Sequence, residues 1–311
     1  MKIKFDSTHT RFGFPFRTVG HAGRYDTISD CEFLDDNRIV CVDRQMAQLY
    51  LVEFSLSDNT YTILDSQTVV CDGQPQHFEL VSLRKDPIVP DKFALYSISY
   101  KNTLFSCDII NNKFSNFRTT IVDPDEKYHG VLAFGADKVY VTNMRGPSIT
   151  EYNVDTGTKK SIVCSGGTRM KDVAILDDDH IIVISSDNGP IIGMRKPDGS
   201  VTPHNPPFAS DVLIYNRHTS KLLARYTLPK TQIDGCIYAA PYCFVTYTDI
   251  DGTGYIWRSK INSSYQFTEV KKIPCAGFPH GLALRDKTFA YTSYSDSALY
   301  IEDVGSFGLL K

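Results

Sequence analysis

The 311-residue sequence predicts an all-β protein built from repeated four-stranded units, and three observations support this prediction. Short apolar runs bounded by turn residues recur along the chain, whereas the i, i+3, i+4 spacing of an amphipathic helix never extends to a useful length. The aromatic residues are 18 Tyr and 18 Phe with a single Trp, and Tyr and Phe favour strands. The same order of strands and turns also returns at intervals of roughly 40 to 60 residues.

Six copies of this unit can be located. Each opens with an Asp or a His before a short apolar strand, and a second strand ending in a polar residue follows. Two further strands joined by a tight turn complete the copy. The copies begin near Asp30, His77, His129, Asp172, Asp234 and His280. Four short strands at this period are typical of β-propeller blades, which stack around an axis because a single blade cannot bury both of its faces. The sequence therefore predicts one six-bladed β-propeller domain over residues 1–311, with five or seven blades as alternatives.

The connections between strands fit this architecture. Residues 111–113 and 155–157 lie between third and fourth strands, where Asn or Gly supplies the left-handed residue of a hairpin. Residues 188–210 lengthen the fourth copy and contain five prolines, which predicts a loop over one face that could serve as a lid. The sixth copy lacks a fourth strand. The alternating segment 2–5 is predicted to supply it and so to close the ring.

Charge and composition narrow the function classes. The net charge is −3 and no basic run exceeds a pair, so the sequence predicts neither a nucleic acid nor an anionic membrane as partner. No apolar stretch is long enough to span a bilayer. None of the eight cysteines forms a CxxC pair and no signal peptide is visible. Reduced thiols and a cytoplasmic location are therefore expected, or secretion if a leader has been removed.

Three segments resemble known propeller families. Residues 137–158 (DKVYVTNMRGPSITEYNVDTGT) resemble the repeat of the YVTN and NHL families. Residues 279–284 (PHGLAL) and 233–239 (IDGCIYA) resemble first-strand motifs of the gluconolactonase (senescence marker protein) and paraoxonase superfamily. In that superfamily this position holds a divalent cation, usually calcium, or a catalytic His. The resemblance implies such roles for His280 and Asp234, and less completely for His129. The early Gly-Glu-Gly-Pro segment of gluconolactonases is absent.

The six openings predict a ring of His and Asp side chains at the start of the innermost strands. The candidate metal ligands are Asp30, His77, His129, Asp172, Asp234 and His280, and the candidate catalytic residues are His77, His129 and His280. Imidazole combined with carboxylate suits zinc, iron or manganese, whereas calcium prefers oxygen ligands. Without a metal, a His beside an Asp is a plausible general base. Asp-Gly and His-Gly are also good turn formers, so a purely structural ring is the alternative.

Second strands are predicted to end in polar residues that could orient these ligands or contact a substrate. They are Asp43, Ser99, Asn143, Asp187, Asp249 and Ser295, with Arg145 nearby as a partner for an anionic group. No GxSxG, HExxH, P-loop or dinucleotide motif occurs. The sequence therefore predicts an enzyme that acts on a small-molecule substrate, a metal-dependent hydrolase of the lactonase type or a lyase or isomerase. The alternative is a non-catalytic propeller that binds a protein or a ligand.

Overall fold

The computed structural model describes residues 1–5, 28–44, 47–71, 74–75, 78–99, 102–186, 209–229, 231–249, 253–293 and 298–307. Six four-stranded sheets and one two-stranded hairpin account for the strands of this part of the chain. Every strand pair within them is antiparallel, and consecutive strands are neighbours in each sheet.

The strands follow one another in chain order. After β1 (Lys2–Lys4), the first blade contains β2 (Ile28–Phe33), β3 (Arg38–Asp43), β4 (Gln48–Ser55) and β5 (Thr60–Thr68). A hairpin of β6 (Val70–Cys71) and β7 (Gln74–Pro75) leads to the second blade, β8 (Phe78–Lys85), β9 (Lys92–Ser99), β10 (Thr103–Ile110) and β11 (Lys113–Ile121). The third blade contains β12 (Tyr128–Phe134), β13 (Lys138–Asn143), β14 (Ser148–Asn153) and β15 (Lys159–Val163).

The remaining three blades repeat this order. The fourth contains β16 (Met170–Ile175), β17 (His180–Ser186), β18 (Ala209–Asn216) and β19 (Leu222–Pro229). The fifth contains β20 (Thr231–Ala239), β21 (Tyr242–Asp249), β22 (Gly254–Ile261) and β23 (Phe267–Pro274). The sixth contains β24 (Pro279–Arg285), β25 (Thr288–Ser293) and β26 (Ala298–Asp303), and α1 (Val304–Phe307) follows. The helix α1 is much too short to cross a membrane, and the described residues contain no helix that could.

The blades form a closed ring. The first strand of each blade packs against the first strand of the next, from β2 through β8, β12, β16 and β20 to β24, which returns to β2. The first strands are therefore innermost, and the fourth strands, such as the largely exposed β5 and β11, lie outside. The prediction of a six-bladed β-propeller is confirmed. The predicted insertion at 188–210 lies almost entirely outside the described residues.

The N-terminal strand β1 completes the sixth blade. It pairs antiparallel with β26, placing Ile3 opposite Leu299. Ile3 is fully buried, whereas Lys2 and Lys4 on either side of it are exposed. The amino group of Met1 donates to the carbonyl of Ile301 at 2.7 Å. The prediction that segment 2–5 supplies the missing strand is confirmed.

The core lies between the blades. Six apolar clusters are found among the described residues, one for each pair of neighbouring blades. The cluster between the sixth and first blades contains Ile3 and Phe5 beside Ile39, Val52 and Leu299. Each sheet thus buries both of its faces against its neighbours, which is why no blade could be stable alone.

Candidate functional site

A β-bulge near the start of the first strand positions the candidate side chains. In the third, fifth and sixth blades, three steps along the first strand face two steps along the second. One extra residue therefore protrudes from the ladder at the same place in each blade. The register leaves two residues unpaired in each of these blades, and they are His129–Gly130, Asp234–Gly235 and His280–Gly281.

The register at the bulge places other residues in the ring than the sequence predicted. In the first blade Ile28 pairs with Asp43 and Asp30 with Val42, so the extra residue is Ser29. In the fourth blade the equivalent pairs leave Lys171 as the extra residue and place Asp172 one position later. In the second blade the register places Glu79 there. The residues at the bulge position, called the ring position below, are Ser29, Glu79, His129, Lys171, Asp234 and His280.

The prediction that Asp30 and Asp172 share the ring position with the other candidates was therefore wrong by one residue. An irregular register shifts every later side chain, and the apolar pattern of a strand does not show where a bulge lies. His77, a predicted catalytic residue and metal ligand, lies outside the described residues.

Three of the predicted residues do meet. His129, Asp234 and His280 bring their ligand atoms within 4.8 Å of one another, and all three residues are at most 2% exposed. The Nε2 atom of His280 lies 3.8 Å from Oδ1 of Asp234, and the two imidazole rings are 5.7 Å apart between centroids. We call these three residues the His/Asp cluster. Two nitrogens and one carboxylate oxygen form a donor set that could hold a divalent metal ion.

Both imidazoles are oriented by a backbone carbonyl of the neighbouring blade. Nδ1 of His129 lies 2.8 Å from the carbonyl oxygen of Lys171, and Nδ1 of His280 lies 2.7 Å from that of Ser29. A carbonyl can only accept, so Nδ1 carries the hydrogen in each ring. Nε2 is therefore the atom that can take up a proton or ligate a metal.

The carboxylate of the cluster receives two donors. Nζ of Lys171 lies 3.2 Å from Oδ1 of Asp234, and Nε2 of Gln232 lies 3.1 Å from Oδ2. Burial by itself would raise the pKa of Asp234, but its electrostatic interactions with Lys171, His280 and His129 outweigh it and hold the pKa below its usual range. Asp234 is therefore ionised at neutral pH. Sequence reasoning missed Lys171, because only the bulge register brings it to the ring position.

A glycine and a threonine support each member of the cluster. The amides of Gly130, Gly235 and Gly281 donate to the hydroxyls of Thr142, Thr246 and Thr292 on the second strand, at 2.6 to 2.9 Å. Each hydroxyl in turn donates to the carbonyl of the ring-position residue in the next blade. A Cβ on Gly281 would lie 2.5 Å from Cα of Asp30, so only glycine allows the blades to approach this closely.

Asp30 and Asp172 connect blades instead of joining the cluster. Oδ2 of Asp30 accepts the amide hydrogen of Val81 in the second blade at 2.8 Å. Oδ2 of Asp172 accepts that of Cys236 in the fifth blade at 2.8 Å. Burial raises the pKa of Asp172 to about 8 and raises that of Asp30 well above its usual range. These carboxyls act as bridges between inner strands.

The predicted outer polar residues are only partly at the expected place. In each blade, one residue of the second strand pairs with the first-strand residue that comes just before the bulge. All six of these second-strand residues are buried, and they are Asp43, Ser99, Asn143, Ser185, Tyr247 and Ser293. Asp249 lies two residues further along and pairs with Lys272 at 2.6 Å. Asp187 and Ser295 lie outside the described residues. Arg145 is exposed and donates to the carbonyl of Asp125 at 2.7 Å, so the structure does not bring it to the cluster.

Solved structures of other propellers are similar to this chain. The PQQ-bound aldose sugar dehydrogenase from Streptomyces coelicolor matches with a TM-score of 0.58 and 12% identity over 91% of this chain and 98% of that one. Virginiamycin B lyase from Staphylococcus aureus matches with a TM-score of 0.54 and 11% identity over 90% and 96%. The WD40 repeats of RRP9 match with a TM-score of 0.56 and 11% identity over 90% and 95%.

These similarities show the fold alone, because the sequence identities are only 11–12%. No family model matches the sequence, and no curated protein matches it. The resemblance to gluconolactonases thus remains a prediction.

Proposed function

We propose that the protein is an enzyme that moves protons on a small-molecule substrate at the His/Asp cluster, as a lyase, an isomerase or a hydrolase does. One observation carries this proposal. Two buried imidazoles, each with its hydrogen fixed on Nδ1, converge with an ionised carboxylate at one end of the inner strands. Paired groups of this kind are how proteins run general acid–base chemistry near neutral pH.

The cluster suggests a division of roles between the two imidazoles. Nε2 of His280 lies 3.8 Å from the carboxylate of Asp234. A nearby carboxylate favours the charged imidazolium, so His280 is the better general acid. His129 then serves as the general base that takes a proton from the substrate. Asp234 stabilises the imidazolium without itself taking up the proton.

The convergence of three buried side chains favours an enzyme over a purely structural ring. Turn formation would explain a His or an Asp before a glycine, but it would not require three such side chains to converge from three blades. Two of the similar solved structures are enzymes, namely the sugar dehydrogenase and the lyase. A variant of that lyase in which one histidine is replaced by alanine is described as catalytically inactive. A small-molecule enzyme is therefore the proposal that the cluster supports best.

The test compares histidine variants on a defined set of substrates: lactones, aryl esters, and β-substituted carbonyl compounds that can eliminate. His129→Gln and His280→Gln should each lower kcat/KM by about 10²- to 10⁴-fold on any compound that is turned over. His218→Gln is the matched control, because His218 is half exposed and its Nε2 lies 3.3 Å from Oδ1 of Asp179 at the surface. Turnover that survives in the His129→Gln/His280→Gln double variant would contradict the proposal.

A second candidate is metal-assisted hydrolysis, favoured by the donor set of the cluster. Two imidazole nitrogens and a carboxylate within 4.8 Å suit zinc, iron or manganese better than calcium. A divalent ion held by three protein ligands could polarise a carbonyl or activate water. The ammonium of Lys171 lies 3.2 Å from the same carboxylate and would compete with such an ion.

A further inference from the structure

The geometry points to Lys171 as the resident cation of the His/Asp cluster, the group that keeps divalent metal ions out of it. The inference concerns the same cluster as the proposed function. It does not depend on catalysis, because its readout is metal binding. The two proposals can fail separately. A cluster that is catalytic but binds metal would contradict only the metal exclusion, and a cluster that excludes metal but is not catalytic would contradict only the proposed function.

The position of the Lys171 ammonium supports this assignment. Lys171 occupies the ring position of the fourth blade, between the blades that supply His129 and Asp234. Its Nζ lies 3.2 Å from Oδ1 of Asp234, and its side chain is only 13% exposed. That same Oδ1 faces Nε2 of His280 at 3.8 Å. The carboxylate oxygen that would ligate a metal is therefore already paired with an ammonium.

The positive charge of Lys171 also opposes the binding of a metal ion. A zinc ion lies about 2 Å from a ligating carboxylate oxygen, so an ion on Oδ1 of Asp234 would sit within a few ångströms of Nζ. Like charges at such distances repel strongly inside a protein, where water screens them poorly. Asp234 is the single carboxylate of the cluster and cannot neutralise both a divalent ion and Lys171. Metal binding would require the lysine to leave.

The backbone of Lys171 is held in place by two hydrogen bonds. Its carbonyl accepts Nδ1–H of His129 at 2.8 Å and the hydroxyl of Thr142 at 3.0 Å. The residue thus orients one imidazole through its carbonyl while its ammonium pairs with Asp234. Removal of the side-chain charge leaves the backbone contacts in place. Lys171→Met should therefore vacate the cation position without disturbing the tautomer of His129.

The experiment is a titration of the metal-free protein with Co²⁺, followed by its visible ligand-field absorption, and with Zn²⁺ in competition. Wild type and Lys171→Arg, which keeps the charge, should show no stoichiometric cobalt spectrum. Lys171→Met should bind one Co²⁺ per chain, at least about 100-fold more tightly than wild type. Lys171→Met/His280→Gln should lose this binding, because one ligand has been removed.

Two outcomes would overturn the inference. One is a wild-type protein that binds Co²⁺ as tightly as Lys171→Met does. The other is a Lys171→Met protein that keeps the circular dichroism spectrum and melting temperature of wild type but binds no metal. Lys171→Gln serves as a second neutral variant if the methionine variant does not fold, and the same two outcomes apply to it.

Discussion

Replacing Thr292 with valine isolates the hydrogen bond that supports His280 at the junction of the last and first blades. The hydroxyl is fully buried, accepts the amide hydrogen of Gly281 at 2.8 Å and donates to the carbonyl of Ser29 at 2.9 Å. Valine has nearly the same shape, so packing changes little. The Ser29 carbonyl keeps its bond from His280, whereas the Gly281 amide loses its side-chain acceptor. A buried amide that has lost its hydrogen-bond acceptor lowers the free energy of unfolding by about 1–3 kcal/mol.

We therefore expect Thr292→Val to lower the free energy of unfolding by about 2 kcal/mol in urea, with an unchanged m-value. Thr142→Val should cost a similar amount, because the third and fourth blades repeat the same arrangement around the Lys171 carbonyl. Thr120→Val on an exposed outer strand is the control and should stay within about 0.5 kcal/mol of wild type. A loss below about 0.5 kcal/mol for Thr292→Val would refute the assigned role of the hydroxyl.

Three further predictions concern the blade contacts. Gly281→Ala should destabilise the fold strongly, because the new Cβ would lie 2.5 Å from a Cα atom of the first blade. Gly146→Ala is the control and should have little effect, because its new Cβ would meet nothing within 4 Å. Equal decreases in the melting temperatures of these two variants would contradict this prediction. Ile3→Ala should cost about 2–5 kcal/mol on denaturant unfolding, and Lys4→Ala, which is exposed, almost nothing. The pKa of Asp172 is raised to about 8, so its contribution to stability is complete below pH ~4 and lost as the pH rises through about 8. The urea midpoint of the wild-type protein should therefore fall between pH ~4 and about 8, and that of Asp172→Asn should fall less. A wild-type midpoint that rises over this range would contradict the raised pKa of Asp172.

The fold could be predicted from the sequence because its signals are periodic. Four strands per repeat, six repeats and the alternating segment 2–5 are all visible in the printed sequence, and each has a direct counterpart in the structure. Strand alternation is a local property of two-residue period, and every blade repeats it. Even the closing contact of Ile3 could be predicted, since a propeller with an incomplete last blade leaves an unpaired edge.

The site could be predicted only in part, because a bulge determines which residue reaches it. His129, Asp234 and His280 precede a glycine, and that glycine lets the protruding residue and the neighbouring blade come close. At residues 30 and 172 an aspartate stands where those blades have glycine, and its carboxylate reaches the next blade. The choice between the two patterns depends on contacts between blades, which local propensity does not encode.

One signal for the missed residue was nevertheless present. The second strand carries threonine opposite each His-Gly or Asp-Gly bulge, at Thr142, Thr246 and Thr292, but Val42 and Ile184 opposite the two aspartates. An alignment of the repeats on the second strand instead of the first would have moved the ring position of the fourth blade to Lys171. The threonine marks the blades in which a glycine follows the ring position.

The pairing of β1 with β26 also bears on how the chain reaches its folded state. The two partners of the contact between Met1 and Ile301 are separated by 300 residues, so the first strand leaves the ribosome long before its partner exists. Five blades can assemble during synthesis, whereas the sixth must wait for both chain segments. Closure of so long a loop is entropically unfavourable, yet the cost rises only with the logarithm of loop length. Until β1 pairs with β26, the sixth sheet keeps an open edge that could pair with another copy of the chain.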